Sequence, residues 1–296
     1  MKKTLKFIVA FFCLYSLIIC FLYPLEVRST IYDICELWLM KVLLSLVPFY
    51  FLSNILVNYP IFSKLLYKPL DKIFHFECER SCSLLLLSTI TGNPTSSLLV
   101  INSVKNNEIT VNEGNRLLKC TVMSTPLFMI TMLGNIGLII YITQIVVSFI
   151  FYYRKKVSKT YRKQSINNNN IFEILDNTPS VMLKILSSMV FMGLINICLI
   201  KLFHFFNVDN MYPVRYFLDL FELTTGLDNI IKYNINLDII YLLSTFLLSF
   251  GGFSIIIQIL FEIKKTSLSK TSLIISRILH GIISCVIMLV ILKFFV

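Results

Sequence analysis

The stretch STITGNPTSS, residues 88–97, lies inside an otherwise apolar run and decides how the fold is interpreted. Apolar residues 84–87 precede it and 98–101 follow it. Pro94 has no N–H group and disfavours α-helical geometry at Asn93, while Gly92 allows backbone conformations that other residues avoid. A helix therefore cannot continue smoothly through this stretch. In a membrane, the backbone groups that such a break frees must find other partners.

The composition of the chain indicates a membrane protein. Of its 296 residues, 56% are hydrophobic and 15% are charged, against about 25% charged residues in ordinary globular domains. Apolar runs of roughly 20 residues, long enough to cross a bilayer, recur along the whole chain. We predict an all-α polytopic membrane protein in which about seven transmembrane helices accompany two re-entrant or broken-helix hairpins.

The net charge of +11 comes from basic residues that are spread between the apolar runs. This distribution is typical of cytoplasmic loops and does not predict a nucleic-acid partner. We expect a multi-pass membrane protein, with the lipid bilayer as its partner and its N-terminus in the cytoplasm. The eight cysteines lie mostly singly in apolar segments and are interpreted as free thiols. A zinc site at Cys78 and Cys82 is the alternative.

Charge also decides between a kinked span and a hairpin for residues 81–104. The most basic stretch of the chain, residues 154–163, follows two further apolar runs at 117–133 and 136–153. If residues 81–104 cross the membrane, this stretch lies outside, against the positive-inside rule. If they enter and return, it lies in the cytoplasm. We therefore predict a re-entrant hairpin that enters from the cytoplasm.

The predicted topology divides the chain into an anchor helix and two similar halves. Each half consists of a span, a polar hairpin and two further spans, and the two halves have opposite orientations. The second hairpin covers residues 212–229, and the segments 24–30 and 58–80 are predicted loops. Such inverted repeats are typical of secondary transporters. The predicted parts are an N-terminal membrane anchor at 1–30, a first repeat at 31–153, a basic cytoplasmic linker at 154–180 and an inverted second repeat at 181–296.

The interrupted segments of the two halves predict a midplane site for a small polar solute. Glu222 is the strongest candidate for a functional residue of this site, because burying a carboxylate inside the membrane costs free energy and such carboxylates are usually functional. It would bind a diol of the solute, or a coupling H⁺ or Na⁺; no other cofactor is expected. The alternatives are a Glu222 ion pair with Arg215 or Lys232 at the interface, a Gly92–Pro94 kink that serves packing only, and an interhelical hydrogen bond at Gln258. The predicted solute-binding residues are Thr91, Gly92, Asn93, Pro94, Thr95, Ser96, Ser124, Thr125, Glu222, Thr224, Thr225, Gly226, Gly251, Gly252 and Gln258.

Motifs in both halves carry a resemblance to a known family. In the first half they are Gly92-Asn93-Pro94, Glu108-Ile109, Arg116-Leu117-Leu118, Ser124-Thr125-Pro126-Leu127-Phe128 and Gly134. In the second half they are Glu222-Leu223-Thr224-Thr225-Gly226, Phe250-Gly251-Gly252-Phe253-Ser254, Gln258 and His280. Their order and spacing, over roughly residues 40–285, resemble the YlbJ-type sporulation integral membrane proteins. These belong to the Gate, or nucleoside-recognition, group and are distantly similar to concentrative nucleoside transporters.

The resemblance implies a membrane protein needed for spore cortex formation, which transports or binds a nucleoside-like or sugar-like solute. The chain departs from the family pattern at the first motif, where Asn93 replaces a Tyr, Ser96 and Ser97 replace Gly-Ala, and Leu98 replaces a Lys. The sequence contains no catalytic motif that would indicate an enzyme. The alternative function is a non-transporting scaffold that recruits other spore-envelope proteins. A homo-oligomer is compatible with either function.

Overall fold

The computed structural model of the chain describes residues 2–57, 60–153, 171–264 and 266–295, and all regular secondary structure in these ranges is helical. In chain order the helices are α1 Lys2–Leu22, α2 Pro24–Leu37, α3 Leu44–Leu56, α4 Pro60–Phe74, α5 Glu79–Thr91, α6 Thr95–Lys105, α7 Val111–Cys120, α8 Pro126–Leu133, α9 Asn135–Tyr152, α10 Ile171–Phe205, α11 Tyr212–Asp219, α12 Leu223–Ile231, α13 Leu237–Phe250, α14 Gly252–Ile263 and α15 Lys270–Phe295. A π-helical segment, Trp38–Leu43, joins α2 to α3.

Five stretches of the described chain are long and apolar enough to cross a membrane, which agrees with the predicted helical, multi-pass membrane protein. A shorter apolar stretch, Ala10–Leu22, lies in α1. The predicted run 117–133 is divided, because the chain is non-helical between α7 and α8. The five long stretches are Pro24–Leu56, Asn135–Tyr152, Phe172–Phe205, Leu237–Ile263 and Lys270–Phe294.

Two segments that we predicted as loops are helical instead. Helix α2 begins at Pro24, at the start of the predicted loop 24–30. A proline at the first position of a helix loses no hydrogen bond, because the N–H groups of the first turn have no helical acceptor. Within the predicted loop 58–80, α4 packs Leu70 and Phe74 against the core. The apolar side of this helix, and not only its basic residues, therefore determines its structure.

The predicted linker 154–180 is helical at its C-terminal end. Helix α10 begins at Ile171, and Ile174 and Thr178 are both buried. These residues are four positions apart and so lie on one face of the helix. Residues 154–170 of the predicted linker lie outside the described residues.

The chain reverses at Gly92–Pro94, as the opening stretch predicts. Helices α5 and α6 have 13 and 11 residues and pack against each other on either side of this turn. At 1.5 Å per residue they measure about 20 and 16 Å, too short to cross the roughly 30 Å of a hydrocarbon core. Helices α11 and α12, with 8 and 9 residues, form a second, shorter helical pair.

Each helical pair is joined through its backbone to the helix break that follows it in the chain. In the first half, the Asn93 N–H donates to the Met123 carbonyl at 3.2 Å, and the Val122 N–H donates to the Ser88 carbonyl at 3.3 Å. These bonds join the α5–α6 turn to the non-helical segment between α7 and α8. They satisfy groups that the two breaks leave without helical partners.

The second half repeats this arrangement. Helix α13 ends at Gly251, whose φ is +95°, and α14 begins at Gly252, whose φ is +68°. The N–H of Phe253 donates to the Leu220 carbonyl at 2.9 Å, and the N–H of Ser254 donates to the Phe221 carbonyl at 3.0 Å. The acceptors belong to the turn between α11 and α12. Both halves therefore connect a helical pair to a broken helix through main-chain hydrogen bonds.

Arg277 of α15 holds the C-terminal end of α7. Its side chain is fully buried, and its guanidinium donates to the carbonyls of Thr121 at 2.6 Å and Leu118 at 3.1 Å, and also to that of Lys119. The last carbonyls of a helix have no partners within the helix. A single side chain therefore satisfies the end of α7 next to the first break.

We expect Arg277→Gln to lower the free energy of unfolding, because each buried carbonyl left unpaired costs about 1–3 kcal/mol. Thermal unfolding in detergent micelles measures the loss. The matched control is Lys270→Gln, an exposed position of the same helix, where the change should stay within about 0.5 kcal/mol. Equal unfolding midpoints for the two variants would contradict this role of Arg277.

Candidate functional site

A small cavity of about 40 Å³, here called the inner cavity, lies where the two helical pairs and the two breaks meet. A space of this size holds a few water molecules. Seven of the fifteen predicted site residues line it. They are Asn93, Pro94, Ser124, Thr125, Glu222, Thr224 and Gln258.

The other eight predicted residues do not line the inner cavity. The hydroxyl of Thr91 donates to the Leu87 carbonyl at 3.0 Å, and the hydroxyl of Ser96 donates to Asn93 Oδ1 at 2.9 Å, so both serve the local structure. The residues outside the lining are Thr91, Gly92, Thr95, Ser96, Thr225, Gly226, Gly251 and Gly252.

Gly92, Gly226 and Gly251, which do not line the cavity, allow neighbouring backbone or side-chain atoms to pack closely against the chain. A Cβ at Gly92 would lie 2.8 Å from the Thr125 nitrogen, and a Cβ at Gly226 would lie 2.1 Å from the Asp219 carbonyl oxygen. A Cβ at Gly251 would lie 2.6 Å from Met123 Sδ, a contact between the second break and the first. These glycines let backbones approach closely behind the cavity.

Asn93 organises the first wall of the inner cavity. Its Oδ1 accepts hydrogen bonds from the Ser97 N–H at 3.2 Å and from the hydroxyls of Ser96 and Ser97, which caps the start of α6. Its Nδ2 donates to Thr121 Oγ1 at 2.9 Å and contacts Met123 Sδ at 3.1 Å. Both amide atoms therefore have partners within the protein, and the side chain is a positioning group.

Glu222 forms the opposite wall and is 3% exposed. It is the N-cap of α12, where Oε2 accepts the Thr225 N–H at 2.7 Å. Among the described residues it forms no ion pair. Lys232 pairs with Asp228, and Arg215 donates to the Asp209 carbonyl and to Asn210. The predicted alternative of an ion pair with Arg215 or Lys232 is therefore wrong, and the carboxylate instead accepts a backbone N–H at a helix start.

Two buried hydroxyls on the cavity wall have no hydrogen-bond partner among the described residues. They belong to Ser124, 4% exposed, and Ser254, 1% exposed. Buried polar atoms without partners are uncommon and mark positions where a ligand or a water can bind. The sequence predicts Ser124 but not Ser254, although Ser254 follows the second break by two residues.

Gln258 lies at the edge of the inner cavity and contacts α10. Its Nε2 donates to the Ser188 hydroxyl, so the predicted interhelical hydrogen bond is present. Gln258 also lines the inner cavity, so its position is compatible with both predicted roles.

Four helices begin at the inner cavity. Pro94 precedes α6, Thr125 caps α8 by accepting the Phe128 N–H at 3.2 Å, Glu222 caps α12, and Ser254 is the third residue of α14. Each of these residues lines the cavity. Because a helix N-terminus carries a partial positive charge, the four ends together favour a negative group at this place.

A second cavity of about 1130 Å³, here called the outer cavity, adjoins the inner cavity. Pro94, Ile185 and Gln258 line both cavities and form the wall between them. The outer cavity extends between α3, α6, α10 and α14, and Thr95 and Leu98 line it. Its volume is close to that of pockets that hold whole small molecules.

Residues around the start of α3 and on α10 also line this region, although the sequence does not predict them. Val42, Ser45 and Leu46 reach the inner cavity from the segment around the start of α3, and Ile185 and Met189 reach it from α10. These residues are apolar or small, and they carry no local motif. Only the packing of the spans around the hairpins reveals them.

Comparison of the chain with models of protein families, with curated proteins and with solved structures gives no match. The fold and the cavity define a helical membrane protein in which a small cavity, lined by both polar and apolar side chains, lies between two helical pairs.

Gly92 offers a test of the close packing behind the cavity, with Gly134 as its matched control. Both have positive φ, +64° and +61°, but nothing lies within 4 Å of a Cβ at Gly134. We expect Gly134→Ala to cost about 1–3 kcal/mol of stability through backbone strain alone. Gly92→Ala should cost clearly more, because its Cβ also meets the backbone of Ser124 and Thr125. Thermal unfolding in detergent measures both, and equal losses would argue against the backbone contact.

Proposed function

We propose that this protein binds a small polar solute at the inner cavity and transports it across the membrane. The observation that carries the proposal is the convergence of Asn93, Ser124 and Thr125 from one half of the chain with Glu222, Thr224 and Ser254 from the other. Polar groups buried in a membrane protein are costly unless they serve a pathway or a binding site. The unpartnered hydroxyls of Ser124 and Ser254 supply hydrogen bonds to the solute.

The repeated backbone pattern supports a structural repeat, and we propose that this repeat is inverted and that the chain has about seven spans. In each half, backbone N–H and C=O groups of the helical pair form hydrogen bonds with the backbone of a later helix break. The two breaks contact each other at Met123 and Gly251. In transporters with inverted repeats, interrupted helices meet at the midplane and the two repeats move relative to each other. We assign the repeats to residues 31–153 and 181–296, with residues 1–30 as an additional anchor.

The inner cavity is too small for a nucleoside or a sugar in this conformation. About 40 Å³ accommodates a few waters. We therefore interpret the structure as a closed state, in which binding requires the helical pairs to separate. Glu222 would carry the coupling H⁺ or Na⁺, because its carboxylate is the one acidic side chain among the described residues that line the inner cavity.

The biological setting follows from the resemblance to the YlbJ-type proteins. We propose that the chain lies in the inner membrane of a spore-forming bacterium, with its N-terminus in the cytoplasm, and contributes to spore cortex formation. The alternative is a scaffold that binds other spore-envelope proteins without transport. The small size of the inner cavity is the observation that favours this alternative.

The Glu222→Gln variant distinguishes the transporter from the non-transporting scaffold. The amide keeps an oxygen that can cap α12, so folding is retained while the charge is lost. A transporter should lose function, because the neutral amide cannot take up the coupling H⁺ or Na⁺ that we assign to the carboxylate. The readout is the yield of heat-resistant spores in the host strain, together with the amount of protein in the membrane.

The matched control is Asp228→Asn, which removes a carboxylate from the same helix at its half-exposed face. We expect normal spore yield from this variant and a yield near that of the deletion strain from Glu222→Gln. Normal yield from both variants at normal membrane levels would reject the transport proposal and favour the scaffold.

A further inference from the structure

The outer cavity has a polar stripe along one face of α10. The stripe consists of Asn177, Ser180, Lys184, Ser187 and Ser188, which all line the cavity. Their spacings of three, four, three and one place them on the same side of a helix. Helix α10 is one of the five helices long and apolar enough to span the membrane. The stripe therefore lies on the side of α10 that lines the outer cavity.

Lys184 gives this cavity a positive charge. Charged side chains on spanning helices usually face a water-filled cavity and mark a solute pathway. Among the described residues, Lys184 forms no ion pair. The other charged residue that lines the cavity, Glu262, pairs with Lys105 at 3.8 Å. The positive charge of Lys184 is therefore not neutralised within the described part of the cavity wall.

The inner cavity adjoins the outer cavity on the side of several helix N-termini. Residues at or near the N-termini of α6, α8, α12 and α14 line it. Helices α5, α7, α11 and α13 end at the same breaks, and the Arg277 guanidinium binds the carbonyls that end α7. Ile185, the neighbour of Lys184, forms part of the wall between the two cavities together with Pro94 and Gln258. The outer cavity thus leads from a lysine to a set of helix N-termini.

We propose that the solute is a water-soluble organic anion that enters through the outer cavity past Lys184. Its carboxylate, phosphate or sulfate group then binds in the inner cavity, where the hydroxyls of Ser124 and Ser254 donate to it. The body of the solute remains in the outer cavity, whose volume is far larger. This inference rests on the proposed transport function and specifies the chemical class of its solute.

Cysteine labelling with a matched pair of thiol reagents tests the charge of the pathway. Ser187→Cys places a thiol in the outer cavity, and Ser254→Cys places one in the inner cavity. Each variant of the full chain reacts with a negatively charged sulfonate methanethiosulfonate and with the positively charged trimethylammonium analogue. Peptide mass spectrometry separates the new thiol from the eight native cysteines. The measured quantity is the ratio of the two reaction rates.

We expect the sulfonate reagent to react faster than the trimethylammonium reagent at Ser187→Cys. At Ser254→Cys we expect the same preference at a far lower rate, because Ser254 is 1% exposed and a reagent reaches it only when the helical pairs separate. Lys184→Gln should lower the rate ratio at Ser187→Cys by roughly threefold to tenfold, the effect of one unit charge several ångströms away in a wet cavity. Lys184→Arg should preserve the ratio, because it keeps the charge. At Ser29→Cys, an exposed position on α2, Lys184→Gln should change nothing. Absence of labelling at Ser187→Cys, or a ratio that is insensitive to Lys184→Gln, would overturn the proposal.

This result is independent of the spore assay with Glu222→Gln. If that variant is inactive but the cavity shows no preference for the sulfonate, transport stands and the anionic class of the solute is rejected. If the sulfonate is preferred but Glu222→Gln retains function, the anion pathway stands and the role of Glu222 in transport is rejected.

Discussion

The structure depends on main-chain hydrogen bonds between helix breaks. A break inside an apolar segment frees N–H and C=O groups that lipid cannot satisfy. Here each break supplies partners for another: Asn93 donates to Met123 in the first half, and Phe253 donates to Leu220 in the second. The two sets then meet through Met123 and Gly251. Neither helical pair can be displaced from the break of its own half without exposing backbone polar groups. The contact between the two breaks is a packing contact and not a main-chain hydrogen bond.

These bonds also explain the positions of the charged side chains that are buried near the breaks. Glu222 caps α12 and Arg277 satisfies the carbonyl end of α7, so each charge compensates a helix terminus of the opposite sign. Neither needs a charged partner. A buried acid and a buried base are thereby maintained without an ion pair between them. The Glu222 carboxylate lines the inner cavity, whereas Arg277 contacts the backbone behind the first break.

The positions of the breaks could be predicted from the sequence, because Gly92, Pro94 and Gly251 act through local backbone conformation. Their function as contact points could also be anticipated, since glycine permits close approach. The hydrogen-bond partners could not, because Ser254 meets the turn of α11–α12 and Arg277 meets α7 across large sequence separations. For the same reason, the helices at Pro24 and Pro60 were missed: their polar residues resemble a loop until their apolar faces meet the core.

The polar residues of the site differ in how many of their hydrogen-bonding atoms already have partners within the protein. The sequence alone makes Asn93 a candidate ligand, because it lies in the Gly92–Pro94 break. Its amide is fully engaged in capping α6 and in binding Thr121, so it has little capacity left for a solute. The groups with free capacity are the hydroxyls of Ser124 and Ser254. Asn93 therefore fixes the conformation of the α5–α6 turn, whereas the hydroxyls of Ser124 and Ser254 are the groups on the cavity wall that can still form hydrogen bonds.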